Sequence, residues 1–180
     1  MYYAIIETTF GHIGLVHEGT KQAGVERIIL PSSKSQVVKH ILSLFPKAVP
    51  RQPQIIEPLT DLLVDYFEGK PVKFPLDFLN LTICYPFQIK VIKAEWSIPY
   101  GKVATYSWIA KKIGSNAYRA VGNALARNPF PIIIPCHRAI RSDMALGGFQ
   151  GGLQMKQKLL ELEGVQFDAE GHVLRDYIIH

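Results

Sequence analysis

A cysteine, a histidine and an arginine follow one another at positions 136 to 138, directly after the apolar run "FPIIIP". Cysteine acts as a nucleophile through its thiolate, and a thiol with a pKa of roughly 8.5 is only slightly ionised at neutral pH. The adjoining His137 and Arg138 can both favour the thiolate. These residues therefore indicate an activated thiol held in place by a rigid apolar segment. The alternative is a buried cysteine that acts only as a small hydrophobic residue.

An acidic residue further along the chain could orient the histidine. The apolar residues between Met155 and Leu162 form the inner stripe of a helix predicted from about Leu153. At about 100° per residue, Glu163 falls inside that stripe. It also ends the helix just before Gly164, where the helix dipole disfavours an acid. A residue that breaks two local rules indicates function, although a solvated last turn would also explain it.

Two short helices precede the cysteine and must help to position it. The first is predicted from about Tyr106 to a stop at Gly114, and the second over residues 117–127. Ser115 or Asn116 is available to cap the second helix. Two short helices joined by a tight turn that contains glycine form a helix-turn-helix pattern.

The second of these helices has an unusual outward face. Arg119, Gly122, Asn123 and Ala126 lie opposite its apolar stripe. A glycine inside a helix costs about 1 kcal/mol relative to alanine. Either another helix packs tightly against this face, or a large partner approaches it closely. One arginine among small residues fits a helix that reads DNA.

Positive charge is concentrated in the same region. The net charge is +5, and residues 96–142 contain no aspartate or glutamate. A stretch of this length without acids favours a polyanionic partner, most simply nucleic acid, over a solvated basic face. Its basic residues are Lys102, Lys111, Lys112, Arg119, Arg127, Arg138 and Arg141.

The first part of the chain, residues 1–79, is predicted to form a small α+β unit without obvious chemistry. The segments "YYAIIET", "HIGLVHE" and "VERIIL" have the pattern of short strands, with a turn between Gly19 and Gly24. An amphipathic helix follows over residues 59–67 and ends before Gly69. The extended segment "KFPLDFLNLTICYP" is a predicted linker to the mainly helical residues 80–180.

Composition narrows the class of protein. A hydrophobic content of 48% is typical of a globular chain, and no apolar run approaches the roughly 18 residues of a membrane span. The start "MYYAIIETTF" lacks the basic region of a secretory signal. Two cysteines, Cys84 and Cys136, are too few for a paired CxxC zinc site. We therefore expect a cytoplasmic protein with thiols rather than a disulfide, and no membrane partner.

The segment "PCHR" at 135–138, preceded by "RAVGNALARNPFPIII" and followed by "GGFQGGLQMKQKLLELEG", resembles the O6-alkylguanine-DNA alkyltransferases. Upstream, "PFQIKVIKAEWSIPYGKVATYSWIA" is similar as well, so the resemblance runs from about Pro86 to Gly164. It implies an α+β protein: a ribonuclease-H-like α/β domain over residues 1–79, then a mainly helical, winged-helix-like domain over residues 80–180 that contains the helix-turn-helix.

The resemblance also implies an activity and a partner. Proteins of this family repair O6-alkylguanine in double-stranded DNA by moving the alkyl group irreversibly onto their own cysteine. O4-alkylthymine is a further candidate substrate. The expected protein is a monomer that binds DNA through the minor groove and needs neither a cofactor nor a metal. Each molecule would react once.

Matching positions imply roles for individual residues. Cys136 is the expected nucleophile, and His137, oriented by Glu163, is its expected base through a water molecule. Tyr106 is expected to protonate the departing guanine, and Asn128 to hydrogen-bond near the thiol.

The same positions imply two contact surfaces. Arg119 is expected to fill the space that a flipped nucleotide leaves, from a helix lying in the minor groove. The remaining residues implied to bind DNA are Thr105, Tyr106, Gly122, Asn123, Ala126, Arg127 and Arg138, and the substrate pocket is expected to be lined by Pro131, Gly147, Gly148, Phe149 and Gln150.

Some features leave alternatives open. Phe149 stands where many members have tyrosine, and Gln150 where serine is common, so the range of alkyl groups is not fixed. Zinc ligands of some members have no counterparts, and residues 165–180 extend beyond the resemblance without a predicted role.

Two other functions remain as alternatives. A Cys–His hydrolase would use the same thiol but offers no reason for the acid-free helix-turn-helix. A non-catalytic DNA-damage-binding protein is the other alternative, although such relatives lack the cysteine.

Overall fold

The computed structural model describes residues 1–19, 24–51 and 54–179, apart from the side chain of Ile55. Most of the predicted turn between Gly19 and Gly24 lies outside the described residues. The chain clusters into two compact units. The amino-terminal unit comprises Met1–Ile83 with Pro129–Pro131, and the carboxy-terminal unit comprises Cys84–Asn128 and the chain from Ile132 onward. The predicted division after residue 79 lies close to this boundary, but the return of residues 129–131 was not predicted.

The amino-terminal unit is built on a four-stranded sheet of order β3–β2–β1–β4. The predicted α+β class is confirmed, and the three predicted strands are antiparallel neighbours, with β4 parallel to β1. One helix was not predicted: Ser33 caps it by accepting the Gln36 amide at 3.4 Å, and Val37 and Ile41 are buried. The elements are β1 (Tyr2–Thr8), β2 (Gly11–His17), β3 (Val25–Ser32), α1 (Lys34–Leu44), β4 (Val49–Pro50) and α2 (Glu57–Phe67).

The carboxy-terminal unit is mainly helical, as predicted. Its first helix begins with Pro86, whose missing N–H costs nothing at the first helical position. Its two short strands are parallel and pair Ala104 with Ala139 and Thr105 with Ile140. The elements are α3 (Pro86–Trp96), β5 (Ala104–Thr105), α4 (Tyr106–Lys112), α5 (Tyr118–Ala126), β6 (Ala139–Ile140) and α6 (Gly152–Leu162).

The predicted helix-turn-helix is confirmed as α4 and α5. Gly114 has φ +68°. The Gly114 amide donates to the Lys111 carbonyl at 3.0 Å, and the Ser115 amide donates to the Ala110 carbonyl at 2.9 Å. This pair of bonds ends α4 in the left-handed turn that glycine adopts without strain. The predicted cap of α5 is wrong, because its N-cap residue is Ala117 and no side chain caps it.

The chain after α6 folds back onto this unit. Phe167 and Val173 form an antiparallel bridge, and Ile178 forms a parallel bridge with Val103. Val165 and Val173 are buried in one cluster with Val103. Among the described residues, every helix is too short or too polar to cross a bilayer.

Candidate active site

Cys136 opens a single 3-10 turn, Cys136–Arg138, that lies directly before β6. The cysteine is only 6% exposed, and its amide donates to the Ile134 carbonyl at 2.8 Å. In the apolar run before it, Ile132 has φ +77°. A β-branched residue in this region is an outlier that costs about 1–3 kcal/mol and persists only where the surroundings enforce it. The backbone that presents the thiol is therefore held in a strained, defined path.

The thiol lies in the wall of a cavity of about 380 Å³. A side-chain carbon added at Gly122 would meet no heavy atom of the described residues within 4 Å. Tight helix packing therefore does not explain this glycine, which instead keeps the cavity open. The lining residues are Tyr106, Gly122, Leu125, Ala126, Cys136, Gly148, Phe149 and Gln150.

Glu163 holds both residues that follow the cysteine. Nε2 of His137 lies 2.7 Å from Oε1 of Glu163. Arg138 donates from Nε to Oε2 at 2.8 Å and from Nη2 to Oε1 at 3.0 Å, and the Gly101 amide adds a bond to Oε2 at 3.2 Å. The Glu163 side chain is 0% exposed. A solvated last turn of α6 is therefore excluded.

The protonation of this trio follows from its contacts. Burial alone would raise the pKa of Glu163, but His137 and Arg138 outweigh burial and lower the pKa to about 2. Burial lowers the pKa of His137, although Glu163 opposes the shift. The ring is therefore neutral at neutral pH, with the proton on Nε2 and the lone pair on Nδ1. A neutral imidazole is the form that can accept a proton.

The thiol itself is held protonated. Burial, and then the charge of Glu95, raise the pKa of Cys136 to about 12, while a hydrogen bond from Asn128 and the charge of Lys156 oppose the rise. We expected Arg138 to favour the thiolate, but its guanidinium faces Glu163 instead. The groups that act on the thiol charge therefore include two residues that were not predicted from the sequence, Glu95 and Lys156.

Helix α6 buries a lysine together with two residues of the predicted apolar stripe. Lys156 is 0% exposed, together with Leu159 and Leu160. Met155 and Leu162, which were predicted to face the core, are only partly buried. The spacing of Lys156 from Leu159 and Leu160 is the i, i+3, i+4 signal that could have identified it.

The Lys156 ammonium holds the loop in front of the cavity. Nζ donates to the carbonyl oxygens of Ala139 at 2.6 Å, Gly148 at 3.4 Å and Leu146. Burial lowers the pKa of Lys156 to about 8, and the charges of Cys136 and Glu95 oppose the shift. Because Gly148 lines the cavity, this lysine fixes part of the cavity wall as well as stabilising negative charge on the thiol.

Glu95, on α3, is the second missed residue. It is 0% exposed, and neither carboxylate oxygen has a hydrogen-bond partner among the described residues. Burial raises its pKa to about 8, although Lys156 and Arg138 oppose the rise. An acid in this environment is mostly neutral at pH 7, so the repulsion between Glu95 and a thiolate at Cys136 develops mainly as the pH rises above about 8.

Tyr106 occupies the first position of α4 and lines the cavity. Burial raises the pKa of its hydroxyl to about 12, and the charges of Glu95 and Cys136 add to the rise. A side-chain carbon at Gly147 would lie 3.1 Å from Oη of Tyr106, and Gly147 has φ +68°. Glycine at 147 therefore permits the loop to pass directly against the tyrosine hydroxyl, which stays protonated.

Asn128 and Gln150 link the end of α5 to the cavity. Nδ2 of Asn128 donates to the Ile134 carbonyl at 3.0 Å. Nε2 of Gln150 donates to the carbonyls of Ala126 and Asn128 at 3.0 and 2.9 Å. Pro131, the remaining predicted pocket residue, is buried and clusters with the amino-terminal unit.

The residues predicted to bind DNA divide into two groups. Arg119, Asn123, Ala126 and Arg127 are exposed on α5, beside the half-buried Gly122. These five share the outward face of one helix. The described structure thus keeps the predicted surface of α5 open to a partner.

Two predicted DNA contacts have other partners in the structure. Arg138 is 6% exposed, donates to the Ile98 carbonyl at 2.7 Å and lies over the Tyr100 ring. Arg138 therefore binds and orients Glu163, and its side chain is not placed for a contact at the protein surface. Thr105 caps α4 by accepting the Trp108 amide at 3.1 Å.

The basic surface is narrower than the sequence predicts. Arg141 pairs with Asp143 at 2.6 Å, and Lys102 donates to the Asp176 carbonyl at 2.9 Å. Lys112 likewise donates to Oγ of Ser97 at 2.7 Å. The other exposed basic residues of the acid-free stretch are Lys111, Arg119 and Arg127.

Among the described residues, no group of three or more His, Cys, Asp or Glu side chains could hold a metal ion.

Known proteins share this architecture. Residues 86–165 match the family model of the 6-O-methylguanine DNA methyltransferase DNA-binding domain. A methylated-DNA–protein-cysteine methyltransferase of Methanothermobacter thermautotrophicus is 43% identical over 118 residues, which cover 66% of this chain and 66% of that relative, just under two thirds of its length.

Solved structures extend the likeness to both units. The crystal structure of Mycobacterium tuberculosis OGT in complex with DNA is 32% identical, has a TM-score of 0.71, and is matched over 91% of this chain and 92% of that one. The O6-methylguanine-DNA methyltransferase of Pyrococcus kodakaraensis strain KOD1 is 28% identical with a TM-score of 0.74, over 91% of this chain and 99% of that one.

Proposed function

Because the chain belongs to the O6-methylguanine-DNA methyltransferase family, we propose that it repairs DNA by moving an alkyl group, in the first place methyl, from O6 of guanine onto Cys136. The observation that carries this proposal is the position of Cys136 in the cavity wall, directly before a His137 ring bound to Glu163 at 2.7 Å. The substrate would be alkylated double-stranded DNA in the cytoplasm, bound by a monomer.

The sulphur would attack the alkyl carbon, so that an S–C bond forms as the C–O6 bond breaks. Attack requires the thiolate, which the buried site disfavours until the reaction begins. Lys156 and Asn128 are the groups that stabilise negative charge on sulphur, and the neutral His137 ring is the base that would accept the proton through a water molecule.

The departing guanine needs a proton as the C–O6 bond breaks. Tyr106, whose hydroxyl stays protonated and lines the same cavity, would donate it and would regain a proton that originates from the thiol. The step is balanced: thiol and O6-alkylguanine become thioether and guanine. The protein needs no cofactor for this exchange.

DNA would lie against the outward face of α5, in the minor groove. The exposed Arg119 and Arg127 supply positive charge, while Gly122 and Ala126 let the DNA backbone approach the mouth of the cavity. A base inside a duplex cannot reach a buried sulphur, so the nucleotide must flip out at a cost of a few kcal/mol. Arg119, in the first turn of α5, is the residue that would occupy the vacated space.

Transfer is expected to stop at one alkyl group per protein molecule. A thioether has no acyl carbon for water to attack, so Cys136 cannot be regenerated as a hydrolase thioester would be. Intact mass spectrometry after incubation with excess O6-methylguanine oligonucleotide should show one added CH2 per protein molecule. Mass spectrometry of a digest should assign that CH2 to the peptide that contains Cys136. Continued release of product beyond one equivalent would instead indicate a turnover enzyme such as a Cys–His hydrolase.

Arg119→Ala is expected to slow repair of duplex DNA far more than reaction with the O6-benzylguanine base, which needs no flipping. Losing a few kcal/mol of support for the flipped state corresponds to about 100-fold in rate. Arg127→Ala removes the same charge from the other end of α5 and serves as the control. It should weaken DNA binding without changing the ratio of the two rates at saturating DNA. Equal losses on both substrates for Arg119→Ala would make Arg119 a structural residue.

A further inference from the structure

Residues 165–179 lie beyond the resemblance and almost wholly beyond the matched family model. They begin with Val165, whose amide donates to the Leu160 carbonyl at 2.9 Å, and continue as a small hairpin. In that hairpin Phe167 pairs with Val173, and the Leu174 amide donates to the Gln166 carbonyl at 3.0 Å. We call residues 165–179 the tail. It is an ordered part of the carboxy-terminal unit.

The end of the tail pairs with the strand that leads into Tyr106. The Val103 amide donates to the Tyr177 carbonyl at 2.9 Å, and the Ile179 amide donates to the Val103 carbonyl at 2.9 Å. Residue 103 directly precedes β5, and β5 directly precedes Tyr106. On its other side β5 pairs with β6, which follows the Cys136–Arg138 turn. The bridge between Ile178 and Val103 and the adjoining two-stranded sheet of β5 and β6 therefore connect the tail, the tyrosine segment and the cysteine segment.

Side chains reinforce this pairing. Nζ of Lys102 donates to the Asp176 carbonyl at 2.9 Å and lies 5.9 Å from the centre of the Tyr177 ring. Ile179 packs against the same apolar cluster as Tyr106. The tail thus contacts the tyrosine segment through backbone and side chains.

The hairpin of the tail also holds the loop on the other side of Tyr106. The buried Val173 donates its amide to the Met144 carbonyl at 3.1 Å. Within that loop the Arg141 amide donates to the Ala145 carbonyl at 2.9 Å, and the loop then continues to Gly147. Gly147 lies directly against the Tyr106 hydroxyl. The tail therefore contacts two segments that adjoin the tyrosine: Val103, which precedes β5, and the 141–147 loop.

We propose that the tail is a positioning element of the alkyl-transfer site, which fixes Tyr106 through β5 and through the 141–147 loop. Its chemical meaning rests on the proposed function, in which the Tyr106 hydroxyl must meet the departing guanine. A proton donor acts only within hydrogen-bond reach, and a displacement of about 1 Å can cost about 100-fold in rate. No tail residue lines the cavity among the residues described, so the tail acts through Tyr106.

Ile179→Pro tests the proposal with a minimal change. It removes the N–H that bonds Val103, and Ile178 already has the extended backbone, φ −88° and ψ 129°, that a following proline requires. A chain that ends at Leu174 removes both bonds to Val103. His172→Ala is the matched control within the tail. It removes only a partly exposed contact of 3.5 Å between Nδ1 of His172 and Oδ2 of Asp168, and it keeps the backbone hydrogen bond between Asp168 and His172 in the hairpin.

The first measurement is amide hydrogen exchange followed by mass spectrometry. Because Ile179→Pro removes one hydrogen bond to Val103, residues 103–112 should exchange several-fold to about tenfold faster in this variant. The chain that ends at Leu174 should show a larger increase in exchange rate. In both variants α3 should exchange at the rate of the natural chain, and His172→Ala should leave the exchange rate of residues 103–112 unchanged. Unchanged exchange over 103–112 would overturn the proposal, whether or not the protein transfers alkyl groups.

The second measurement asks whether the tail acts through Tyr106. Ile179→Pro should slow transfer from O6-benzylguanine about tenfold in the natural chain, but less than about twofold in a Tyr106→Phe background. Equal slowing in both backgrounds would mean a general loss of stability and would refute a positioning role. If the natural chain transferred no alkyl group, the proposed function would fail, and hydrogen exchange would still decide whether the tail holds the Tyr106 segment.

Discussion

Replacing Cys136 with alanine is expected to abolish alkyl transfer completely while DNA binding persists. In the proposed reaction the Cys136 sulphur is the protein atom that receives the alkyl group, and an alanine side chain has no nucleophile to replace it. The exposed face of α5 is unchanged by the substitution. Mass spectrometry should therefore find no added alkyl group, and a gel-shift titration with alkylated duplex should give an affinity within about twofold of the natural chain.

The chain carries its own control for this experiment. Cys84 is also a buried cysteine of the carboxy-terminal unit, and it does not line the cavity. Cys84→Ala should still accept one alkyl group. If Cys136→Ala continued to accept methyl, or if only Cys84→Ala lost the reaction, the assignment of the nucleophile would be wrong.

Glu163→Gln is expected to be the most destabilising conservative substitution in the site. It leaves the buried Arg138 guanidinium without the anion that it binds through Nε and Nη2. Breaking one partner of a buried ion pair typically costs about 3–5 kcal/mol. Transfer should also slow by about 100-fold, at the lower end of the contribution of a positioned base. Chemical unfolding and single-turnover rates measure the two effects.

Glu161→Gln is the matched control, since Glu161 is an exposed acid two residues earlier on the same helix. It should change neither the free energy of unfolding nor the rate. Equal stability of the two variants would mean that the Glu163 ion pair contributes nothing to the fold.

The same carboxylate predicts a pH dependence of stability. Its pKa is about 2 in the folded protein, below the ordinary value of 4.5, so its contribution is present above about pH 4.5 and is lost as the pH falls toward 2. The difference corresponds to about 3 kcal/mol. Relative to Glu163→Gln, the natural chain should lose stability over this range, as measured by urea unfolding.

The core of the site could be predicted because its signals are local. Cys136 and His137 are adjacent, and Glu163 could be recognised because an acid at the end of a helix, inside an apolar stripe, conflicts with both positions. The helix-turn-helix followed from helix periodicity and from Gly114, whose left-handed backbone the structure contains. Each of these depends on residues close together in the chain.

The rest depends on contacts between distant segments. Glu95 and Lys156 have the composition of surface residues, and only the packing of α3 and α6 buries them. The family resemblance implied that Arg138 contacts DNA. Its inward orientation follows from the two oxygens of Glu163, which lies 25 residues away along the chain.

The return of Pro129–Pro131 to the amino-terminal unit means that no single cut can separate the two units. The Ile28 amide, on the edge strand β3, donates to the Pro129 carbonyl at 2.9 Å. Those three residues sit between Asn128 and the strained Ile132 that leads to the nucleophile. Genetic screens for sensitivity to alkylating agents should therefore recover alleles in β3, more than a hundred positions upstream of the reactive sulphur.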